Sequence, residues 1–232
     1  YIEFVFAPPA IAAAIGAYFS IFFPAFSPLY IAVVAYVIFT LLNIYGVKQS
    51  AIFEFGVTVF AVLELLIFSG VTLPHFSFEK FSMNPFPNGI PGIFASIPYA
   101  IWFYLGIEGV ANAAEEARDP LRDVAWGFGA AMLTLVVLAL GVFFTSIGVA
   151  GWEAIVYPSP GAAPSDSPLP LALARVAGGS GPLYHLLVSV GLLGLVASFH
   201  GIVLAASRAI LAVGRAGFAP AFLGEVSPRT GT

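Results

Sequence analysis

IPYAIWFYLGIEGVANAAEEARDP, residues 97–120, begins as an apolar membrane helix and then departs from the pattern of one. Two glycines, Gly106 and Gly109, flank a carboxylate, Glu108, in the middle of the segment. Glycine weakens a helix and tolerates backbone angles that other residues avoid. A carboxylate at bilayer depth is costly unless water, a cation or a proton meets it. We therefore predict a discontinuous helix, broken near 105–109, around a polar cavity. A kinked structural helix whose acid is satisfied by a neighbour is the alternative.

The composition is that of an integral membrane protein. Hydrophobic residues make up 60% of the 232-residue chain and charged residues 9%, whereas soluble domains carry roughly 25% charged residues. The eight basic residues are scattered singly. They form no patch for phosphate, so no nucleic-acid partner is expected.

No residue pattern points to catalysis or to a cofactor. The chain has no cysteine, which excludes disulfides and thiolate metal sites. Its three histidines show no metal-ligand spacing, and no nucleophile–base set appears. We therefore expect neither an enzyme nor a metal site. The first residues, YIEFVFAPPA, lack the basic region of a signal peptide, and we expect the chain to begin inside a larger protein.

Six apolar windows are long enough to cross a bilayer, which takes about 20 residues. They lie at 4–23, 29–45, 51–73, 92–114, 124–148 and 183–213, and the fourth is the interrupted one. The segment 152–181 is rich in Pro, Gly, Ala and Ser and is predicted to be an extracytoplasmic loop with a short surface helix at 169–177. The sequence thus predicts a single all-α, polytopic transmembrane domain.

Basic residues set the orientation of these spans. If successive loops alternate between the two sides, the basic residues divide unequally between them. One side holds Lys48, Arg118, Arg122, Arg208, Arg215 and Arg229, and the other holds Lys80 and Arg175. Because cytoplasmic loops carry the excess of Lys and Arg, the larger set is assigned to the cytoplasm. A multi-pass protein of the inner (plasma) membrane is predicted.

Glu108 is the leading candidate for a substrate-binding residue. In a cavity of low dielectric it either carries a proton or stays ionised as the counter-ion of an amine, and the sequence leaves both roles open. Trp102 and Tyr104 precede it by one to two turns. Their rings are candidates for binding a cation or for closing over a substrate, with packing against lipid as the alternative for each.

Further polar residues lie inside or beside the predicted spans. Glu64 is in the middle of the third span with no basic residue within a turn, so it requires a partner, a proton or water; functional and structural roles are both open. His200 in the sixth span is a candidate for proton coupling, with a hydrogen-bonded packing residue as the alternative. Glu116 and Arg118 lie where the broken helix leaves the membrane. They form either a solvated turn or an inner gate whose ion pairs change between transport states.

Three stretches resemble a known group of transporters. FYLGIEGVANAAEEARDPLRDV resembles the broken sixth helix of the amino acid, polyamine and organocation transporter (APC) superfamily. NIYGVKQSA resembles the turn between its fourth and fifth helices, and ASRAILAVGRAGFAPAFLGEVSPRTGT resembles the end of its eighth helix and the loop after it. Within the superfamily, IWFYLGIEGVANAAEEARDP, VFAPPAIAAAIGAY and SFHGIVLAASR look most like ethanolamine permeases.

The resemblance implies a core of two inverted five-helix repeats, of which this chain supplies helices three to eight. It matches Trp102 to an aromatic gate and Glu116 with Arg118 to an inner acidic–basic step. The unwound segment, with the glycine that follows it, corresponds to Leu105, Gly106, Ile107, Glu108 and Gly109. Many relatives carry a lysine near the position of Glu64, and an acid there would suit a cationic substrate or proton coupling.

The function implied by the resemblance is secondary transport of a small amine, ethanolamine first, across the lipid bilayer. Alternating access with proton coupling or exchange is the expected mechanism. An amino acid permease of the same superfamily is the alternative substrate class. A non-transporting membrane module that packs against a partner is the alternative from a different functional class.

Overall fold

A computed structural model describes residues 2–45, 50–107, 117 and 119–227, and the secondary structure in these ranges is helical. The longer helices are α1 (Ile2–Phe22), α2 (Pro28–Tyr45), α3 (Ser50–Thr72), α5 (Gly89–Trp102), α6 (Pro120–Ala150) and α9 (Pro182–Arg215). The shorter ones are α4 (Phe78–Phe81), α7 (Trp152–Val156) and α8 (Pro168–Ala177), with 3-10 turns at Leu73–His75 and Ala221–Gly224. No strand occurs in the described ranges, which confirms the all-α prediction.

In the described ranges, four helical segments are long and apolar enough to cross a membrane: Glu3–Phe22, Phe55–His75, Pro120–Ala150 and Pro182–Arg215. The helices at Pro28–Ile44 and Gly89–Trp102 are also apolar but shorter. Several spans give the polytopic membrane protein that the composition indicates. The count of six crossings stays a prediction, because it depends on the two shorter helices and on residues beyond those that the structure describes.

The chain forms two compact units. The first contains residues 1–62 and 188–232, and the second contains residues 63–187. Two long helices, α3 and α9, change unit along their length, so each contributes residues to both.

The first unit has a core of small and aromatic residues shared by three helices. Ala12 and Ile15 of α1, Ala32 and Ala35 of α2 and Phe199 of α9 are buried together. Small side chains let the helix backbones approach closely. The two helices approach closely at Gly16, where an added Cβ would overlap the backbone carbonyl of Pro28.

Two aromatic rings of α2 pack against a ring of α9 in this core. Tyr36 and Phe39 both meet the ring of Phe199 edge-on, with ring centroids 5.0 and 5.8 Å apart. Edge-to-face pairs at such distances are favourable beyond the area that they bury. These contacts hold the middle of α2 against the middle of α9.

The second unit is built on α6, against which the 73–81 segment, α7 and α8 pack. The Ser77 N–H donates to the Gly148 carbonyl at 2.9 Å, and Lys80 Nζ donates to the Val149 carbonyl at 2.7 Å. These bonds satisfy carbonyl groups in the last turn of α6, where the helix itself provides no donor. The short α8 lies where the sequence predicts a surface helix, but its Ala172 and Leu173 are buried.

Candidate functional site

The end of α5 is the central feature of the candidate site. This helix ends at Trp102, inside the apolar segment, and the next residues form tight turns. The N–H groups of Phe103, Tyr104 and Leu105 each donate to the carbonyl three residues earlier, at 3.2, 2.9 and 3.3 Å. Bonds of this kind tighten a helix end rather than continue the α-helix. The regular backbone therefore stops before Glu108 is reached.

Gly106 has the backbone conformation that turns the chain after α5. Its φ is +83°, in the left-handed region that glycine adopts without steric penalty. An added Cβ would meet no atom within 4 Å, so space is available for a side chain and only the backbone angle requires glycine. Within the described residues the Gly106 N–H makes no hydrogen bond. The turn thus presents a backbone donor in an apolar part of the chain.

The predicted substrate-binding residues divide between described and undescribed parts of the chain. Trp102 and Tyr104 are 46% and 45% exposed, while Leu105 and Ile107 are half-buried. Glu108, Gly109, Glu116 and Arg118 lie outside the described residues. The roles of all these residues, and a second half-helix after the break, stay predictions.

Asp119 and Pro120 begin the next helix. Asp119 Oδ1 accepts from the Arg122 N–H at 3.3 Å, which caps the first turn of α6. Pro120 occupies the first helical position, where a missing N–H costs nothing. Asp119 and Pro120 are therefore the start of α6. This helix begins four residues before the fifth predicted span, which starts at residue 124.

Glu64 is buried on α3. It is 8% exposed, and one turn further along the helix Phe68 is 1% exposed. No hydrogen bond or ion pair to its carboxylate is formed by the part of the chain that the structure describes. Within the second unit, no described hydrogen bond or ring contact joins Glu64 to the turn after α5. The structure thus shows an acid in the membrane segment without a protein partner in these ranges.

His200 belongs to the first unit, where it meets a residue that the sequence did not single out. Its Nδ1 lies 3.2 Å from Nδ2 of Asn43, 157 positions away in the chain, and both side chains are 9% exposed. The Phe39 ring lies beside the imidazole, at a centroid distance of 6.1 Å. Asn43 is the first residue of the stretch NIYGVKQSA, near the end of the second predicted span. An amide in one apolar helix and an imidazole in the middle of another were the available signal for the pair.

Two cavities lie apart from these residues. A groove of about 510 Å³ between α1 and α2 is lined by aliphatic residues with Tyr36 and Thr40. A surface cavity of about 650 Å³ lies along the 152–162 segment, where the Trp152 and Tyr157 rings meet edge-on. None of the predicted site residues that the structure describes lines either cavity. Among the described residues no group of His, Asp or Glu is arranged to hold a metal ion.

The chain is similar in sequence to several membrane transporters. It is 32% identical over 192 residues to an uncharacterized transporter of Rhizobium meliloti, a match that covers 81% of this chain and 39% of the relative. It is 28% identical over 200 residues to the vacuolar cationic amino acid transporter 4 of Arabidopsis thaliana, covering 83% and 31%. The branched-chain amino acid permease of Bacillus subtilis is 25% identical over 223 residues, covering 96% and 45%.

The chain spans about a third to two fifths of the length of the first two of these relatives. The family model described as amino acid permease matches all of it, residues 1–232. A match over the whole chain, on a helical architecture with several apolar spans, assigns the family. The chain belongs to the amino acid permease family.

Proposed function

We propose that this chain forms helices three to eight of a secondary active transporter that moves a small amine or amino acid by alternating access. The observation that carries the proposal is the end of α5 at Trp102, followed by the left-handed turn at Gly106. Irregular backbone at membrane depth is tolerated where it lines a cavity, and discontinuous helices form the substrate sites of many secondary transporters.

Ethanolamine is the substrate that we propose first. A primary ammonium group needs an acidic or aromatic partner inside the membrane, and the chain offers Glu108 and the exposed rings of Trp102 and Tyr104. The buried Glu64 is a second acid suited to a cation or to a coupling proton. We further propose proton coupling or exchange and a location in the plasma membrane.

An amino acid is the second candidate, and a specific observation favours it. The N–H of Gly106, which makes no hydrogen bond to the described residues, is a donor that a carboxylate would accept from, as in transporters whose broken helices bind the carboxylate of their substrate. Two of the relatives above are named as amino acid transporters. Both candidate substrates carry an ammonium group, and only the amino acid also carries a carboxylate.

Uptake by the full-length permease in proteoliposomes tests the proposal. We expect saturable uptake of radiolabelled ethanolamine, with unlabelled amino acids as competitors to rank the two classes. Glu108→Gln should lower the apparent affinity by roughly 30-fold or more, because losing the partner of a desolvated charge costs about 2 kcal/mol or more. The matched control is Glu79→Gln, which changes an exposed acid of α4 and should leave uptake unchanged.

The outcomes separate the functional classes. Unchanged uptake in Glu108→Gln would remove this carboxylate from the mechanism. Uptake of a radiolabelled amino acid by a protein that takes up no ethanolamine would replace the first substrate by the second. No uptake of any amine or amino acid by correctly inserted protein would overturn transport and favour a membrane module that packs against a partner.

A further inference from the structure

The Asn43–His200 pair is a long-range hydrogen bond between two side chains of the first unit, and the sequence did not anticipate it. Asn43 Nδ2 donates to the Phe39 carbonyl, one turn earlier in α2, at 2.8 Å. The same nitrogen lies 3.2 Å from His200 Nδ1. The two bonds use both hydrogens of the amide, and they join α2 to α9 at a buried position.

The Phe39 carbonyl determines which way the amide faces. If oxygen and nitrogen of the Asn43 amide were exchanged, the oxygen would lie 2.8 Å from the Phe39 carbonyl oxygen, and two acceptors repel. In the orientation observed, the amide oxygen of Asn43 is buried without a hydrogen-bond partner. The exchange would place the NH₂ group there instead, leaving donors without acceptors as well. The observed orientation is therefore the favourable one.

The amide orientation determines the protonation of the imidazole. Nδ2 of Asn43 is a donor only, so the His200 nitrogen that faces it must be an acceptor. A neutral imidazole has one unprotonated nitrogen, which here is Nδ1, and its hydrogen is then on Nε2. An imidazolium would direct an N–H toward the NH₂ group of Asn43. We propose that Asn43 is a positioning residue that holds His200 as the neutral tautomer protonated on Nε2.

The consequence for transport rests on the function proposed above. With Nε2 already protonated, His200 can accept a further proton only on Nδ1, and this breaks its bond to Asn43. Uptake of a proton by His200 would therefore loosen a buried connection between α2 and α9.

Histidine ¹⁵N NMR on the full-length protein in bilayers at neutral pH tests the tautomer directly. Two-bond couplings to the ring hydrogens distinguish the two ring nitrogens, and His200→Gln identifies the signals of this residue by their loss. The wild-type protein should show Nδ1 unprotonated and Nε2 protonated. His75 provides an internal contrast, because its Nδ1 faces the Val71 carbonyl at 3.3 Å and must donate there.

Variants of Asn43 test whether this residue sets the tautomer. A carboxylate only accepts, so Asn43→Asp should transfer the His200 proton to Nδ1, either as the other neutral tautomer or as imidazolium. Asn43→Leu should give a mixture of the two neutral tautomers. Thr40→Val changes an exposed residue one turn earlier in α2 and should leave the wild-type signals unchanged.

A protonated Nδ1 in the wild-type protein would overturn the inference, and this measurement needs no variant to fold. An unchanged tautomer in folded Asn43→Asp would overturn the role of Asn43. Neither result depends on uptake, so a failure here leaves the proposed transport standing. Loss of transport activity, conversely, would leave the tautomer assignment unaffected.

Discussion

Replacing Gly106 by alanine is expected to lower substrate uptake by the full-length permease by roughly 5-fold to 30-fold. The φ of +83° at this position costs an L residue about 1–2 kcal/mol. The added methyl group meets nothing within 4 Å, so the loss would come from the backbone angle and not from a steric clash. Initial rates of uptake, normalised to the amount of protein in the membrane, measure it.

Two variants separate the backbone effect from a general effect of changing glycine. Gly106→Asn should retain more uptake than Gly106→Ala, because asparagine adopts left-handed angles more readily. Gly129→Ala is the matched control in α6, where the added Cβ also meets nothing and alanine favours the helix. Equal uptake by Gly106→Ala and the wild-type protein would show that the turn is not needed for transport.

Replacing Glu64 by leucine is expected to stabilise the protein while abolishing or strongly reducing transport. The carboxylate is 8% exposed and forms no hydrogen bond or ion pair with the described residues. An ionisable group that is buried without a partner lowers the free energy of unfolding, and an apolar side chain of similar volume removes that cost. Thermal unfolding in detergent should shift upward by several degrees, whereas uptake should fall because the cation or proton loses its partner.

Two further variants separate the effect of the Glu64 charge from the effect of its packing. Glu64→Gln keeps the size of the side chain and removes the charge, so it should reproduce the loss of uptake with a smaller gain in stability. Thr72→Val is the matched control on the same helix, since Thr72 is fully buried but its hydroxyl donates to the Phe68 carbonyl at 2.7 Å. It should change neither uptake nor stability strongly. A destabilised Glu64→Leu variant with normal uptake would assign Glu64 to structure alone.

Hydropathy and composition predict the helical architecture because long apolar runs have few alternatives to a membrane helix. The observed α3 (Ser50–Thr72) and α9 (Pro182–Arg215) differ by only a few residues from the windows 51–73 and 183–213. The start of α6 at Pro120 differs more from the window at 124, because proline and acidic caps are polar signals that a hydropathy window omits.

The contacts between helices could not be obtained from the sequence. Asn43 and His200 are 157 positions apart, and no local pattern gives the helix pairing that brings them together. The sequence shows only that glycine tolerates left-handed backbone angles. That Gly106 adopts such an angle comes from the structure. Glu64 was recognised as an acid in an apolar helix, and its burial came from the structure.

The most direct test of the account is cysteine accessibility across residues 98–114 in the full-length permease. This chain contributes no cysteine of its own, and any cysteine elsewhere in the permease is first replaced by serine, so that each introduced thiol reports on one position. We expect a membrane-impermeant thiol reagent to label consecutive positions from 104 to 109, and we expect substrate to protect them. Labelling that repeats every three to four residues through to 114, or no labelling in the middle of the segment, would show an unbroken helix and contradict the account.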